Sequence, residues 1–210
     1  MAGFGENCGM HQFTIDGVRR ALFQTDPVGL IEPNHEGWTA ERLDWSDPTL
    51  QTRPRRMQPA DSPRILQGRG FASGPLIGGC AEVLEMAKGT DWWPQRALWN
   101  GAILFYETSE DAPAPQLIRY WLRNFAAQGI LAALSGILIA RPDPLGDETY
   151  QGRLEAAVID ALAEAEVPDL AVLSGLDFGH TQPMMTLPYG VNARIDCTTA
   201  TLTITEAGVV

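Results

Sequence analysis

Short apolar segments alternate with amphipathic segments through residues 101–175. Strands buried on both faces appear in a sequence as short apolar runs, and helices that cover a sheet carry apolar residues three and four positions apart. The alternation therefore predicts a parallel sheet covered by helices. The predicted strands are GAILFYE (101–107), GILIA (136–140) and LAVLSG (170–175), and the predicted helices are APQLIRYWLRNFAAQG (114–129) and RLEAAVIDALAEAE (153–166).

The flanking segments extend this pattern. A strand is predicted at 76–79 and a helix at 81–88, where Gly89 is a typical helix end. A further helix is predicted within 13–23. The C-terminal residues 194–209 alternate and are rich in threonine, which predicts an antiparallel hairpin. The predicted fold class is α/β, with a mostly parallel sheet covered by helices and a C-terminal β-hairpin.

Residues 24–64 show neither the alternation of a strand nor the three- and four-residue apolar spacing of a helix. They contain six prolines, at positions 27, 33, 48, 54, 59 and 63. Long irregular segments of this kind are usually functional or mobile. We expect a surface excursion with at most one short strand. The chain is thus divided into residues 1–64, a helix followed by this excursion, and residues 65–210, the α/β domain.

Charge and cysteine content restrict the partners and the compartment. The net charge of −11 disfavours binding to nucleic acid or to an anionic membrane. The longest apolar stretch, 129–140, is shorter than the roughly 20 residues of a membrane-spanning helix, and the N-terminus does not resemble a signal peptide. Three distant cysteines do not form a disulfide framework, so a cytoplasmic location is expected.

Two ionisable residues follow predicted strands. Glu107 ends the strand AILFY, and His180 follows LAVLSGLDFG. Ligands of open α/β sheets bind beyond the carboxyl ends of the strands. If the two strands are parallel neighbours, the Glu107 carboxylate can accept the His180 Nδ1–H and leave Nε2 free as a general base. The alternative is a half-exposed glutamate and a structural histidine.

The nucleophile that such a base would serve is harder to find. No serine lies in a Gly-x-Ser-x-Gly motif. Cys80 follows two glycines and precedes a predicted helix, whose N-terminus could lower the thiol pKa; the alternative is a small apolar residue packed at a turn. Cys8 and His11 have metal-like spacing, but a structural zinc site needs four ligands. We expect no metal and no cofactor.

Several motifs together resemble one family. GPLIGGCAEVLEMAKGTDWWP, GAILFYETSEDAPAPQLIRYWLRNFAAQGIL, SGILIA and FGHTQPMMTLPYG are similar, in that order, to the C-terminal half of the serine LD-carboxypeptidases. That family includes murein tetrapeptide carboxypeptidases, which act in peptidoglycan recycling, and microcin C self-immunity peptidases. The resemblance implies a C-terminal swivelling β/β/α-type domain at 65–210. It also implies a Ser–Glu–His triad with Glu107 and His180, a structural role for Arg119, and a homodimer.

The sequence departs from the family pattern in two ways. The family's nucleophilic serine lies in a Gly-x-Ser-Asp motif of an N-terminal domain, and these 210 residues contain no such motif, since WSD at 45–47 lacks the glycine. The chain alone is therefore expected to be inactive and to need that domain as a partner. GGCA replaces the common GGNL, and with Trp92 and Trp93 it favours aminoacyl-nucleotide substrates over murein L,D-peptides. The alternatives are a hydrolase that uses Cys80 and a non-catalytic ligand-binding domain.

Overall fold

The computed structural model describes residues 9–210, in which eight strands form one mixed sheet. The strands are β1 (Gly29–Leu30), β2 (Arg64–Gln67), β3 (Phe71–Cys80), β4 (Ile103–Glu107), β5 (Gly136–Ala140), β6 (Ala171–Leu176), β7 (Asn192–Asp196) and β8 (Thr201–Ile204). The helices are α1 (Gln12–Leu22), α2 (Ala81–Ala87), α3 (Pro115–Ala127) and α4 (Tyr150–Glu164), with short 3₁₀ helices at Arg96–Trp99 and Leu131–Ala133.

Four parallel strands form the centre of the sheet, whose order is β1-β8-β7-β3-β4-β5-β6-β2. The pairs β3–β4, β4–β5 and β5–β6 are parallel, and the outer pairs are antiparallel. Every residue of β5 and β6 is buried, as expected for strands covered on both faces. The predicted α/β class and the C-terminal hairpin are confirmed, and the hairpin β7–β8 extends the sheet through β3.

Strand β3 is longer than the sequence indicates because its two halves have different partners. Residues 71–75 pair antiparallel with β7, and residues 76–80 pair parallel with β4. The second half was predicted, whereas the first half, FASGP, has no apolar run. Gly78 is required by close packing, since a Cβ there would lie 1.8 Å from the Phe105 carbonyl oxygen.

Alternate residues of the central strands face two separate cores. Ile77, Leu104 and Ile137 face the layer of α2, α3 and α4. Their neighbours in the chain, Leu76, Ile103 and Leu138, face the opposite side, which α1 and the segments around residues 28–31 and 178–187 cover. Both cores are apolar, so burial on the two faces fixes the register of the sheet.

Residues 31–63, the part of the excursion between β1 and β2, lie against the carboxyl ends of the strands. Their backbone meets the rest of the domain in an isolated bridge between Thr39 and Gln182. The buried Arg141, directly after β5, pairs with Asp61 of the excursion and with Asp177 after β6. The guanidinium carbon of Arg141 lies 5.2 Å from the centroid of the Trp38 ring. Arg141 thus anchors the excursion at the end of the sheet where ligands of α/β proteins bind.

No helix within residues 9–210 combines the length and the apolar character that a membrane span requires.

Candidate active site

The structure brings Glu107 and His180 together. The Nδ1–H of His180 donates to Oε2 of Glu107 at 2.7 Å. The Glu107 side chain is 10% exposed and that of His180 is 34% exposed. The carboxylate is therefore nearly buried, while part of the imidazole ring remains accessible to solvent. The strands that carry them are not neighbours, because β5 lies between β4 and β6. The segment after β6 has to reach across the sheet to place His180 beside β4.

Gly179 makes this crossing possible. It adopts φ +92°, a backbone conformation that side chains rarely allow, and a Cβ at this position would lie 2.7 Å from Oε2 of Glu107. A side chain at 179 would therefore displace the carboxylate that binds the histidine. The glycine directly before His180 is thus part of the site's geometry.

The electrostatics of the pair favour a charged imidazole. The hydrogen bond to Glu107 raises the pKa of His180 above its ordinary value, and the negative charges of Glu107 and Glu110 add to this, while burial and Arg42 oppose it. A carboxylate that orients an imidazole and stabilises the imidazolium is the arrangement of a general base and its orienting group.

Glu110 approaches the other ring nitrogen, a contact that the sequence did not predict. Its Oε2 lies 3.1 Å from Nε2 of His180, and its Oε1 lies 3.9 Å from a guanidinium nitrogen of Arg42 in the excursion. Arg42 also lies 3.5 Å from the carboxylate of the buried Asp143. The sequence shows two acidic residues, Glu110 and Asp111, shortly after Glu107. It does not show which of their carboxylates contacts the histidine.

Cys80 lies beside Glu107 in the sheet register but is poorly suited to be a nucleophile. Its thiol donates to Oε2 of Glu82 at 3.3 Å. Burial, together with the negative charge of Glu107, raises its pKa to about 12. A lowering of the thiol pKa by the following helix was considered from the sequence, and the structure contradicts it because burial and the neighbouring carboxylates dominate.

Glu82 instead fixes the loop that follows β4. It accepts hydrogen bonds from the Ser109 backbone N–H at 3.1 Å and from the Ser109 hydroxyl at 2.5 Å. The Asp111 N–H donates in turn to the Ser109 oxygen at 3.2 Å. The turn that presents Glu110 is therefore held from helix α2.

The other residues singled out in the sequence lie elsewhere. The hydroxyl of Ser46 donates to Asp44; of the serines that the sequence did not single out, Ser135 donates to the Ala102 carbonyl and Ser174 to Glu155. Arg119 joins α3 to α4 through Asp160 and Glu164. Trp93 packs on Trp99 and Phe125, while Trp92 is 88% exposed.

Only one member of the Cys8–His11 pair lies within the described residues. His11 Nδ1 contacts Glu36 at 3.1 Å, and Cys8 lies outside the described residues. Within residues 9–210, no group of histidine, cysteine and acidic residues is arranged to hold a metal ion.

A cleft of about 590 Å³ opens between the excursion and the loop after β5. Trp38, Glu41 and Asp143 are among its lining residues. Two of its lining residues contact residues near the site. Thr39 is bridged to Gln182, and Asp143 contacts Arg42, which also contacts Glu110.

Residues 73–195 match the LD-carboxypeptidase C-terminal domain family. The matched region includes both Glu107 and His180 and covers more than half of the chain. The chain belongs to this family, whose members are serine-type peptidases.

Its relatives include proteins of microcin immunity. The Microcin C7 self-immunity protein MccF of Escherichia coli is 28% identical over 203 residues, 97% of this chain and 56% of that protein. The chain thus spans about half the length of the curated relatives it matches.

Solved structures that resemble this chain also include MccF and an MccF-like protein. An MccF-like protein from Streptococcus pneumoniae in complex with AMP is 26% identical, with a TM-score of 0.74 over 91% of this chain and 57% of that one. The self-immunity protein MccF in complex with aspartyl sulfamoyl adenosine is 25% identical, with a TM-score of 0.71 over 87% of this chain and 51% of that one.

Proposed function

We propose that this chain supplies the histidine and the glutamate of a Ser–Glu–His triad in a serine-type carboxypeptidase. His180 is the general base and acid, and Glu107 orients it. The observation that carries the proposal is the 2.7 Å contact between His180 Nδ1 and Glu107 at the carboxyl ends of the central strands. Membership of the LD-carboxypeptidase family supports the same assignment.

The proposed reaction is acyl transfer to serine followed by hydrolysis. A serine Oγ attacks the carbonyl carbon of the substrate amide while its proton passes to Nε2 of His180. The C–N bond then breaks, and the amine leaves with that proton. Water attacks the acyl-serine ester, again giving a proton to His180, which returns it to the serine as the acid product leaves.

The nucleophile is proposed to come from outside these 210 residues. The sequence has no Gly-x-Ser-Asp motif, and the local hydrogen bonds of Ser46, Ser135 and Ser174 give them structural roles. The raised pKa of Cys80 disfavours the thiol as a substitute. An N-terminal domain that carries the serine and the oxyanion donors is the proposed partner, and without it the chain is inactive.

Two substrate classes fit the proposal, murein-type L,D-peptides and aminoacyl-nucleotide amides like those of microcin. Relatives named for microcin C7 self-immunity, or solved with AMP and aspartyl sulfamoyl adenosine, favour the second class. The cleft of about 590 Å³ between the excursion and the loop after β5 has room for a small ligand of this kind. The corresponding roles are microcin immunity or, for the peptides, peptidoglycan recycling.

The proposal also covers the location of the protein, its oligomeric state and its division into domains. A cytoplasmic location fits the free thiols Cys80 and Cys197. A homodimer is proposed by analogy with the family. The division between residues 64 and 65 is also part of the proposal. Strand β2 (Arg64–Gln67) and the pairing of Gly29–Leu30 with β8 both cross this boundary.

Fusion of this chain to an N-terminal domain that carries Gly-x-Ser-Asp, taken from a relative, tests the function. We expect turnover of an L,D-peptide or an aminoacyl-nucleotide amide, whereas the separate 210-residue chain shows none. His180→Ala should lower kcat by about 10⁴-fold, and Glu107→Gln should lower it less because the base remains. The exposed His35 provides the control variant His35→Ala.

Two outcomes would contradict the proposal. Hydrolysis by the separate chain that survives His180→Ala would place the chemistry elsewhere. Tight ligand binding without turnover in the fused protein would instead indicate a non-catalytic binding domain.

A further inference from the structure

We propose that Glu110 binds an ammonium group of the substrate beside the scissile amide, and that it thereby selects substrates whose acyl residue carries a free amine. The inference rests on the proposed function, in which His180 transfers protons at that amide. It names a substrate-binding residue that neither the sequence motifs nor the family match identifies.

The position of Glu110 is the first observation. Its Oε2 lies 3.1 Å from Nε2 of His180, the nitrogen that has to face the reacting serine and the leaving amine. A group that takes this carboxylate from the histidine must therefore lie within a few bonds of the scissile carbonyl.

The second observation is that the turn carrying Glu110 is held from helix α2, independently of the contact between Glu110 and His180. Glu82 holds Ser109 through its backbone N–H and its hydroxyl, and Ser109 holds the Asp111 N–H. The Glu110 side chain itself is 45% exposed. The fold thus presents a carboxylate at the reacting nitrogen from a fixed turn, and the carboxylate remains free to exchange its partner.

The third observation concerns what happens when the base acts. Nε2 has to lose its proton and face the serine, so Glu110 must give up this contact. Arg42 does not replace the contact well, because it lies 3.9 Å from Glu110 and also 3.5 Å from the buried Asp143. An ammonium group of the substrate would satisfy the carboxylate with a charge-assisted hydrogen bond.

Such an ammonium group has two sources among the proposed substrates. One is the free α-amine of an aminoacyl group attached to a nucleotide. The other is the side-chain amine of a diamino acid that precedes the scissile bond of an L,D-peptide. In both, the positive charge lies on the acyl side of the amide; the α-amine is close to the carbonyl carbon through the covalent chain, whereas the side-chain amine reaches Glu110 only if its flexible chain folds back toward the carbonyl.

Two matched ligand pairs separate these sources. The first pair is aspartyl sulfamoyl adenosine and its analogue with hydrogen in place of the α-amine. The second pair is an L,D-peptide with lysine before the terminal D-alanine and the same peptide with norleucine. Each ligand is titrated at millimolar concentration into the full 210-residue chain, and the ring signals of His180 are followed by NMR.

We expect the amine-bearing member of one pair to bind about 10-fold more tightly than its partner, the gain of a hydrogen bond to a charged group. Glu110→Gln should remove this preference. Asp111→Asn, which removes the same charge from the next residue of the turn, should retain it. A preference confined to the first pair identifies the aminoacyl source, and one confined to the second pair identifies the peptide source.

The opposite results overturn the inference in distinguishable ways. Equal affinities within both pairs, or a preference that survives Glu110→Gln, would refute the role of Glu110 while the His180 shifts still support the proposed function. Uniformly tighter binding by Glu110→Gln would show that Glu110 only obstructs the site. Absence of any ligand-induced shift at His180 would overturn both the inference and the substrate assignment.

Discussion

The sheet with its helices and the excursion, residues 31–63, are stabilised by different forces. The sheet and its helices enclose two apolar cores in which side chains such as Phe125 and Leu138 are fully buried. The excursion has no helix. It contacts the domain through the backbone bridge of Thr39 and Gln182 and through a few side chains, of which Arg141, Asp61 and Trp38 form the main anchor. Apolar burial fixes the strands, whereas a few polar contacts fix the segment that completes the site.

The candidate active site lies where these two regions meet. Glu107 and His180 belong to the sheet region, while Thr39 and Arg42 reach the site from the excursion. This difference implies that the Glu107–His180 pair is rigid and that the part of the site formed by the excursion is more easily disturbed. Substitutions in the two regions should therefore have separable effects.

The largest expected effect is in the core. Phe125 is fully buried and packs edge-on against Trp93 and Trp99. Phe125→Ala should lower the free energy of unfolding by about 4 kcal/mol because it leaves a cavity. Urea denaturation followed by circular dichroism measures the loss. Phe23→Ala, at a phenylalanine that is 77% exposed, is the control and should change the free energy of unfolding little. Equal losses would contradict the burial of Phe125 in the core beneath the helices.

A smaller and more local effect is expected at the anchor. Arg141→Met leaves the buried Asp177 without its charged partner, which should cost about 3 kcal/mol. Native-state hydrogen exchange should show faster exchange in residues 31–63 and little change in β4 and β5. Arg153→Met, at an exposed arginine paired with Asp147, is the control. Uniformly faster exchange throughout the sheet would mean that the excursion and the sheet unfold together.

The sequence was most informative where burial dictates a period. Strands β5 and β6 and helix α3 follow their apolar patterns, because both faces of the strands and one face of the helix are covered. Contacts set by distant polar residues were not predictable. The approach of Glu110 to His180 depends on Glu82 holding Ser109 across 27 positions, and Arg42 arrives from a segment without any period. The pairing of Glu107 with His180 could be expected from strand ends, but the crossing over β5 could not.

A further prediction concerns the reactivity of Cys80, which lies beside Glu107 in the sheet. With a pKa of about 12, its reaction with iodoacetamide at neutral pH should be roughly 100-fold slower than that of an ordinary thiol, after allowance for the higher nucleophilicity of a basic thiolate. Mass spectrometry of the alkylated native protein measures this rate, and the urea-unfolded chain is the control. Rapid native labelling would restore Cys80 as a candidate nucleophile.

The coupling between Glu107 and His180 is the central claim, and an NMR titration of the His180 ring in the native chain tests it directly. Because Glu107 raises its pKa, His180 should titrate above its ordinary value of 6.5. The stability that this contact contributes is then complete below pH 6.5 and is lost as the pH rises through the folded-state pKa. Glu107→Gln should lower the pKa of His180, whereas Glu36→Gln, which alters the contact of His11, should leave it unchanged. A His180 that titrates at or below 6.5, or that does not respond to Glu107→Gln, would contradict the assignment of the pair.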